Sequence, residues 1–171
     1  MLKFSTRAAA IGLALPPVLA ATPAFGQYGP DAAACRNGGG ATGSAILVNV
    51  GGFRERTGNI RVNVYGSNPS SFLARGQYVR QVNVPVARNG NMPICIAVPR
   101  AGRYAVAVRH DMDGNGRSGW SDGGGFSRNP RVSLVNLRPS YDSVAFNVGR
   151  GVATINVTLL YRYGLSIRPA A

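Results

Sequence analysis

Asp111, Asp113 and Asp122 are three of the six acidic residues of this 171-residue chain, and they fall within one stretch, Asp-Met-Asp-Gly-Asn-Gly-Arg-Ser-Gly-Trp-Ser-Asp, residues 111–122. A calcium loop of the EF-hand kind places side-chain oxygens at its first, third, fifth and twelfth positions, glycine at the sixth and a backbone carbonyl at the seventh. Those positions are Asp111, Asp113, Asn115, Asp122, Gly116 and Arg117. Two features depart from the pattern: the twelfth residue is Asp rather than a bidentate Glu, and the ninth, Gly119, can act only through water. The candidate calcium ligands are therefore Asp111, Asp113, Asn115, Asp122 and the carbonyl of Arg117. The alternative is purely structural. Asp, Asn and Gly are what any tight turn selects, and Arg109, Arg117 or Arg128 can neutralise the acids instead of a metal.

Other chemistry finds less support. His110 beside Asp111, with Ser127 downstream, contains the residue types of a hydrolytic triad, but neighbours in sequence are not a geometry. There is no Gly-x-Ser-x-Gly elbow. His110 is expected to end a strand and hydrogen-bond the loop. It is the sole histidine and Cys35 and Cys95 are the sole cysteines, so no zinc cluster is expected and neither thiol has an evident imidazole. Trp120, Phe126 and Tyr141 flank the loop as expected exposed aromatics that could line a ligand face, with Phe126 as a plug of the sandwich end as the alternative.

The elements that must position this loop read as strands. Ile46, Val48 and Val50 alternate with other residues, as do Ile60, Val62 and Val64, with Arg61 and Asn63 facing the opposite way. The pattern returns at Val82–Val86, Ile94–Val98, Tyr104–Val108 and Val144–Val148. It ends in an expected longest strand with Ile155, Val157, Leu159, Tyr161 and Tyr163 on one side. Gly51-Gly52 and Thr57-Gly58-Asn59 bracket the first connection, while Asn89-Gly90-Asn91 and Gly149-Arg150-Gly151 read as hairpin turns. Only Pro69 to Arg75 hints at a helical turn. About seven strands without a long helix predict an all-β fold, an antiparallel two-sheet sandwich of immunoglobulin or transthyretin type.

Residues 1–26 read as a signal peptide cleaved before Gln27: Lys3 and Arg7 precede a short apolar run broken by Pro16 and Pro17, with Ala24 and Gly26 at the cleavage site. Residues 27–43 are Gly/Ala-rich and expected to be flexible, ordered mainly through Cys35. The sandwich is expected over 44–165 and a loose tail over 166–171. Cys35 lies too far beyond the apolar run to read as a lipid anchor, and no other segment is expected to cross a membrane. In an exported protein two cysteines most simply form one disulfide, with a pair of free thiols as the alternative. Without Lys3 and Arg7 the chain holds 17 arginines against six acids, a net of +11. Such a surface favours anionic partners, although the arginines are scattered singly, as a compositional bias would also scatter them. Without a basic cluster or stacking aromatics, nucleic acid is not an expected partner.

Gly102-Arg103-Tyr104-Ala105-Val106-Ala107-Val108 runs into His110-Asp111-Met112-Asp113-Gly114-Asn115-Gly116, and Gly125-Phe126-Ser127-Arg128-Asn129-Pro130 follows. This order resembles a bacterial family of exported proteins whose domain is catalogued as of unknown function, number 2141. Phe72-Leu73-Ala74, the two cysteines and the closing Asn156-Val157-Thr158-Leu159-Leu160-Tyr161 run extend the resemblance over nearly all of residues 35–163. It implies a secreted or periplasmic β-sandwich with an Asp/Asn-rich loop and no established activity. The loop is shorter here than is usual in that family, which often carries an Asp near the place of Gly119 and a Glu near that of Asp122. The resulting expectation is an exported, non-enzymatic β-sandwich that binds or scaffolds an anionic polymer or another protein in the cell envelope. The alternatives are a calcium-stabilised module for an anionic polysaccharide or lipid surface and, behind it, a hydrolase.

Overall fold

The structure, a computed structural model, describes residues 26–170; the expected signal peptide lies, apart from Gly26, outside the described residues. The strands are β1 (Ser44–Gly51), β2 (Asn59–Tyr65), β3 (Arg80–Pro85), β4 (Met92–Ala97), β5 (Gly102–Asp111), β6 (Gly123–Phe126), β7 (Phe146–Val148), β8 (Gly151–Thr158), β9 (Leu160–Tyr163) and β10 (Ser166–Pro169). One sheet has the order β4-β1-β8; the other runs β10-β9-β6-β5-β2-β3, with β7 added to β5. The all-β two-sheet sandwich is as the period-two pattern predicts, with three more strands than expected because several are only three or four residues long. The expected helical turn is present as one 3-10 turn, Pro69–Ser71, capped by the Asn68 side chain, which accepts from the Ser70 N–H.

Alternation along each strand builds the core. Ile46, Val48 and Val50 of β1, Ile60, Val62 and Val64 of β2, Ile94 and Ile96 of β4 and Val106 and Val108 of β5 pack between the sheets. Arg61 and Asn63 take the other face of β2, as period two requires. A smaller cluster of Ala105, Tyr141, Val144 and Ala145, with Phe72 and Phe126 against it, closes a second region. Ser127 pins this region to β5: its buried hydroxyl accepts from the Val106 N–H at 3.0 Å and donates to the Val144 carbonyl at 2.6 Å.

Several connections differ from the sequence expectation. Asn89-Gly90-Asn91 and Gly149-Arg150-Gly151 do not close hairpins: β3 and β7 belong to the large sheet and β4 and β8 to the small one, so each turn is an arch between sheets. Turn residues encode a reversal, not the sheet on which the chain resumes. The sandwich is also not purely antiparallel, since β8 runs parallel to β1 over Ser44–Gly51. The expected longest strand is two strands, β8 and β9, and the chain changes sheet at Leu159. Val157, Leu159 and Tyr161 are all buried through this change, which is why the pattern runs on without a break. Val144 ends a four-residue helix, Tyr141–Val144, rather than starting a strand. Residues 166–169, expected as a loose tail, pair with β9 as β10.

The segment over 27–43 holds a short α-helix, Ala32–Arg36, and is fastened at several points. Cys35 and Cys95 form a disulfide across a sequence separation of 60, which places the protein in an oxidising compartment. Tyr28 bridges to β4 through its N–H on the Pro93 carbonyl and its carbonyl under the Cys95 N–H. The Asp31 carboxylate accepts from Arg80 at 2.7 Å and from the Ala97 N–H at 3.0 Å. Among the described residues no helix is long and apolar enough to cross a membrane.

A cross-link over 60 residues removes unfolded-state entropy worth about 4 kcal/mol. The doubly substituted C35S/C95S protein is expected to lose about that much in urea unfolding. An unchanged midpoint would show that the Tyr28 and Asp31 contacts suffice to hold the segment.

Candidate functional site

β5 lies inside the large sheet, and its last residues carry the site. Because successive side chains of a strand face opposite ways, His110 points into the core while Arg109 and Asp111 share the outer face. His110 is wholly buried and Asp111 is 2% exposed. The chain can turn so tightly after β5 because Gly58 sits against it: a Cβ there would lie 1.9 Å from the Asp111 carbonyl oxygen, so only glycine fits.

The loop between β5 and β6 folds back on its own carboxylates. Asp113 accepts from the Asn115 N–H at 3.1 Å, and Asn115 Oδ1 accepts from the Arg117 N–H at 2.6 Å, giving two successive side-chain turns. Asp122 accepts from the Met112 N–H at 3.2 Å through one oxygen and from the Gly119 N–H at 2.9 Å through the other. Asp111 Oδ2 accepts from the Gly116 N–H at 2.9 Å and from Arg109 at 3.4 Å. Arg54 clamps the far side by donating to the Ser121 carbonyl at 2.7 Å. Gly114 and Gly116 both have positive φ, which the tight winding demands.

The fold gathers Asp111, Asp113 and Asp122 so that one oxygen of each lies within 4.8 Å of the others. Calcium binds oxygens at about 2.3–2.6 Å, so ligands on opposite sides of one ion stand about 4.6–5.2 Å apart, and three oxygens at the observed spacing can share it. Asp111 Oδ1 is buried and meets no donor among the described residues, an expensive state for a carboxylate oxygen. Arg109 is the guanidinium that reaches the cluster; Arg128 instead donates to the carbonyls of Asp142 and Ala145. Asn115, the expected fifth-position ligand, has its Oδ1 engaged with the Arg117 N–H and its Nδ2 on Asp113. For Arg117, the backbone N–H holds the turn.

The types of a triad are present but committed elsewhere. His110 Nε2 faces the Thr57 carbonyl at 2.8 Å and Nδ1 faces the Tyr161 hydroxyl at 2.7 Å. A carbonyl can only accept, so Nε2 carries the proton and Nδ1 accepts from the phenol. Ser127 is spent on backbone groups. His110 therefore bonds the Thr57 connection and β9, not the acidic loop as expected. Of the three aromatics expected to be exposed, Trp120 is 78% exposed, under the Arg162 guanidinium at 3.8 Å. Tyr141 is buried in the second core cluster, and Phe126 packs against that cluster and on Phe72, in keeping with the alternative of a plug.

A family model described as uncharacterized protein conserved in bacteria (DUF2141) matches residues 48–156, and the chain belongs to that family. The matched stretch holds the second half of β1, all of β2 to β7, most of β8 and the whole acidic loop. Searches of curated proteins and of solved structures find no match to this chain.

Burial pushes the His110 imidazole below its ordinary value, with the Thr57 carbonyl opposing. The folded protein thus keeps it neutral, whereas the unfolded chain takes up a proton near the ordinary 6.5. Stability is fully present above that pH and is lost as pH falls through it toward the depressed folded value. Thermal melts should be flat above pH 7 and fall as the pH drops below the ordinary imidazole value of about 6.5. In His110→Gln that slope should vanish, at a cost of about 1–3 kcal/mol near pH 7.5. An identical slope in the variant would assign the effect to another group.

Proposed function

We propose that this chain, as a member of that bacterial family, is an exported domain of the cell envelope that works by binding and is stabilised by calcium in its 111–122 loop. Asp111, Asp113 and Asp122 supply the carboxylates, and the arginine-rich surface faces an anionic partner, a polysaccharide or a lipid surface. The observation that carries the reading is the buried, donor-less Oδ1 of Asp111 within a cluster of three converging carboxylates. A divalent cation removes both the orphaned oxygen and the mutual repulsion of the acids. Export is supported by the disulfide together with the leader-like N-terminus. A site of this charge, built without the bidentate Glu, is expected to hold calcium with a Kd on the order of 10⁻⁴–10⁻³ M.

A second reading has its own observation. Every one of the three carboxylates already accepts a backbone N–H of the loop, so the turn can serve as a metal-free strut for the sheet end, with the domain acting as a scaffold.

Thermal unfolding in calcium and in chelator separates the two. At about ten times Kd, calcium should stabilise by about 1.4 kcal/mol, a rise of roughly 3–5 °C in Tm for a chain of this size. Asp113→Asn, at the exposed rim, should remove the response without unfolding the protein. A Tm indifferent to calcium and chelator alike would sink the cation and leave the strut.

A further inference from the structure

The outer face of the large sheet carries a second feature beside the loop. In the β2–β5 register Arg61 stands directly opposite Arg109, so two like charges share one cross-strand pair, an arrangement that destabilises a sheet. Arg109 is committed to Asp111 and to the Ser118 hydroxyl. Among the described residues no acidic side chain lies within salt-bridge distance of Arg61. The Nε–H of each guanidinium is buried and meets no acceptor among the described residues. Both line a hollow of about 390 Å³, together with Asn63, Ser118 and Gly124. Asp122 is also on its rim, but its two oxygens accept from the loop N–H groups.

Gly124 sits opposite Arg109 in the next strand. Its neighbours are glycine of necessity: a Cβ on Gly123 would lie 2.3 Å from the Tyr161 ring and one on Gly125 would lie 2.6 Å from the Thr158 carbonyl. At Gly124 the nearest atom would be the Val108 carbonyl oxygen at an ordinary 3.6 Å. Packing leaves room for a side chain there, and a strand interior is weakened by glycine. A missing side chain that packing does not require, beside two opposed guanidiniums, leaves the hollow open for a ligand.

The geometry points to an oxyanion site: the hollow over Gly124 takes a carboxylate, sulfate or phosphate group, held chiefly by Arg61 with Arg109, Asn63 and Ser118 around it. A guanidinium fork matches such groups in shape and charge, and a bound anion cancels the repulsion across the strand pair. The site depends on the sheet and not on a cation in the loop, although a cation on Asp111, Asp113 and Asp122 would make the hollow more attractive to anions.

The test is Tm against sulfate at constant ionic strength set with chloride, with and without calcium, repeated with glucuronate and with glucose as the uncharged sugar. A saturable rise with sulfate, absent with glucose, is expected, and Arg61→Gln should weaken the apparent affinity at least about tenfold. In chloride alone Arg61→Gln should melt at or above the temperature of the unsubstituted chain, since it relieves the opposed charges. Gly124→Val should keep or raise Tm while abolishing the response, which keeps the test decisive if the arginine variant folds poorly. Tighter binding of glucuronate than of sulfate identifies an acidic sugar as the ligand, and equal binding a bare oxyanion; either upholds the site. A sulfate response in a protein indifferent to calcium upholds it too, while removing the cation from the loop. A calcium response with no sulfate or glucuronate response overturns it, as does an unchanged response in both variants.

Discussion

The pleat of β5 sends Arg109 and Asp111 outward and His110 inward, and the region around the candidate sites depends on that alternation. Inward, the imidazole is a buried polar bridge between the Thr57 connection and Tyr161 of β9. It thereby ties the closing strand to the one where the acidic loop begins. Outward, Asp111 starts the loop and Arg109 faces β2 and β6. A one-residue slip of register would bury Arg109 and Asp111 between the sheets and expose the histidine. The core residues Val106 and Val108, fully and nearly buried, hold the register against that slip.

Local physics wrote the strands into the sequence. Alternation at Ile46–Val50, Ile60–Val64 and Tyr104–Val108 is a direct image of one buried face, and it reads out because burial at these positions is nearly complete. The arches at 89–91 and 149–151 were not legible as arches, since the same turn residues serve a hairpin and a change of sheet. The passage from β8 to β9 was hidden for a related reason: an inward side chain is inward on either sheet. The parallel pairing of β1 with β8 joins residues over a hundred positions apart, and no local pattern carries it.

The candidate site divides in the same way. Asp111, Asp113 and Asp122 were visible from spacing because one short loop supplies all of them, and the structure brings them together. The use of Asn115 inside its own turn was not visible, since an amide at the fifth position suits a ligand and a turn equally well. Alternation puts Arg61 on the outer face of its strand but says nothing of what stands opposite it. It lies 48 residues before Arg109, and only the strand register places the two guanidiniums opposite one another. The single signal that existed was Gly124, one of three consecutive glycines in a strand, whose neighbours turn out to be required by Tyr161 and Thr158 while it is not.

An acid-poor, arginine-rich chain makes this concentration of charge informative. Asp142 sits beside Arg103 on the surface, where such a pair contributes little, and the less exposed Asp31 has Arg80 and the Ala97 N–H to itself. The loop behaves differently, because Asp111 is buried and shares one guanidinium with a cluster of three acids. Arg109 then stands between two unbalanced groups, an excess of carboxylate on the loop side and an opposed guanidinium on the β2 side. It cannot neutralise the first without sharing a strand pair with the second. A cation on one side and an anion on the other would relieve both at once, and each would lower the cost of binding the other. Two such proposed sites would be coupled through a single side chain, and the coupling would be reciprocal by linkage: whatever factor calcium added to oxyanion affinity, the oxyanion would add to calcium affinity.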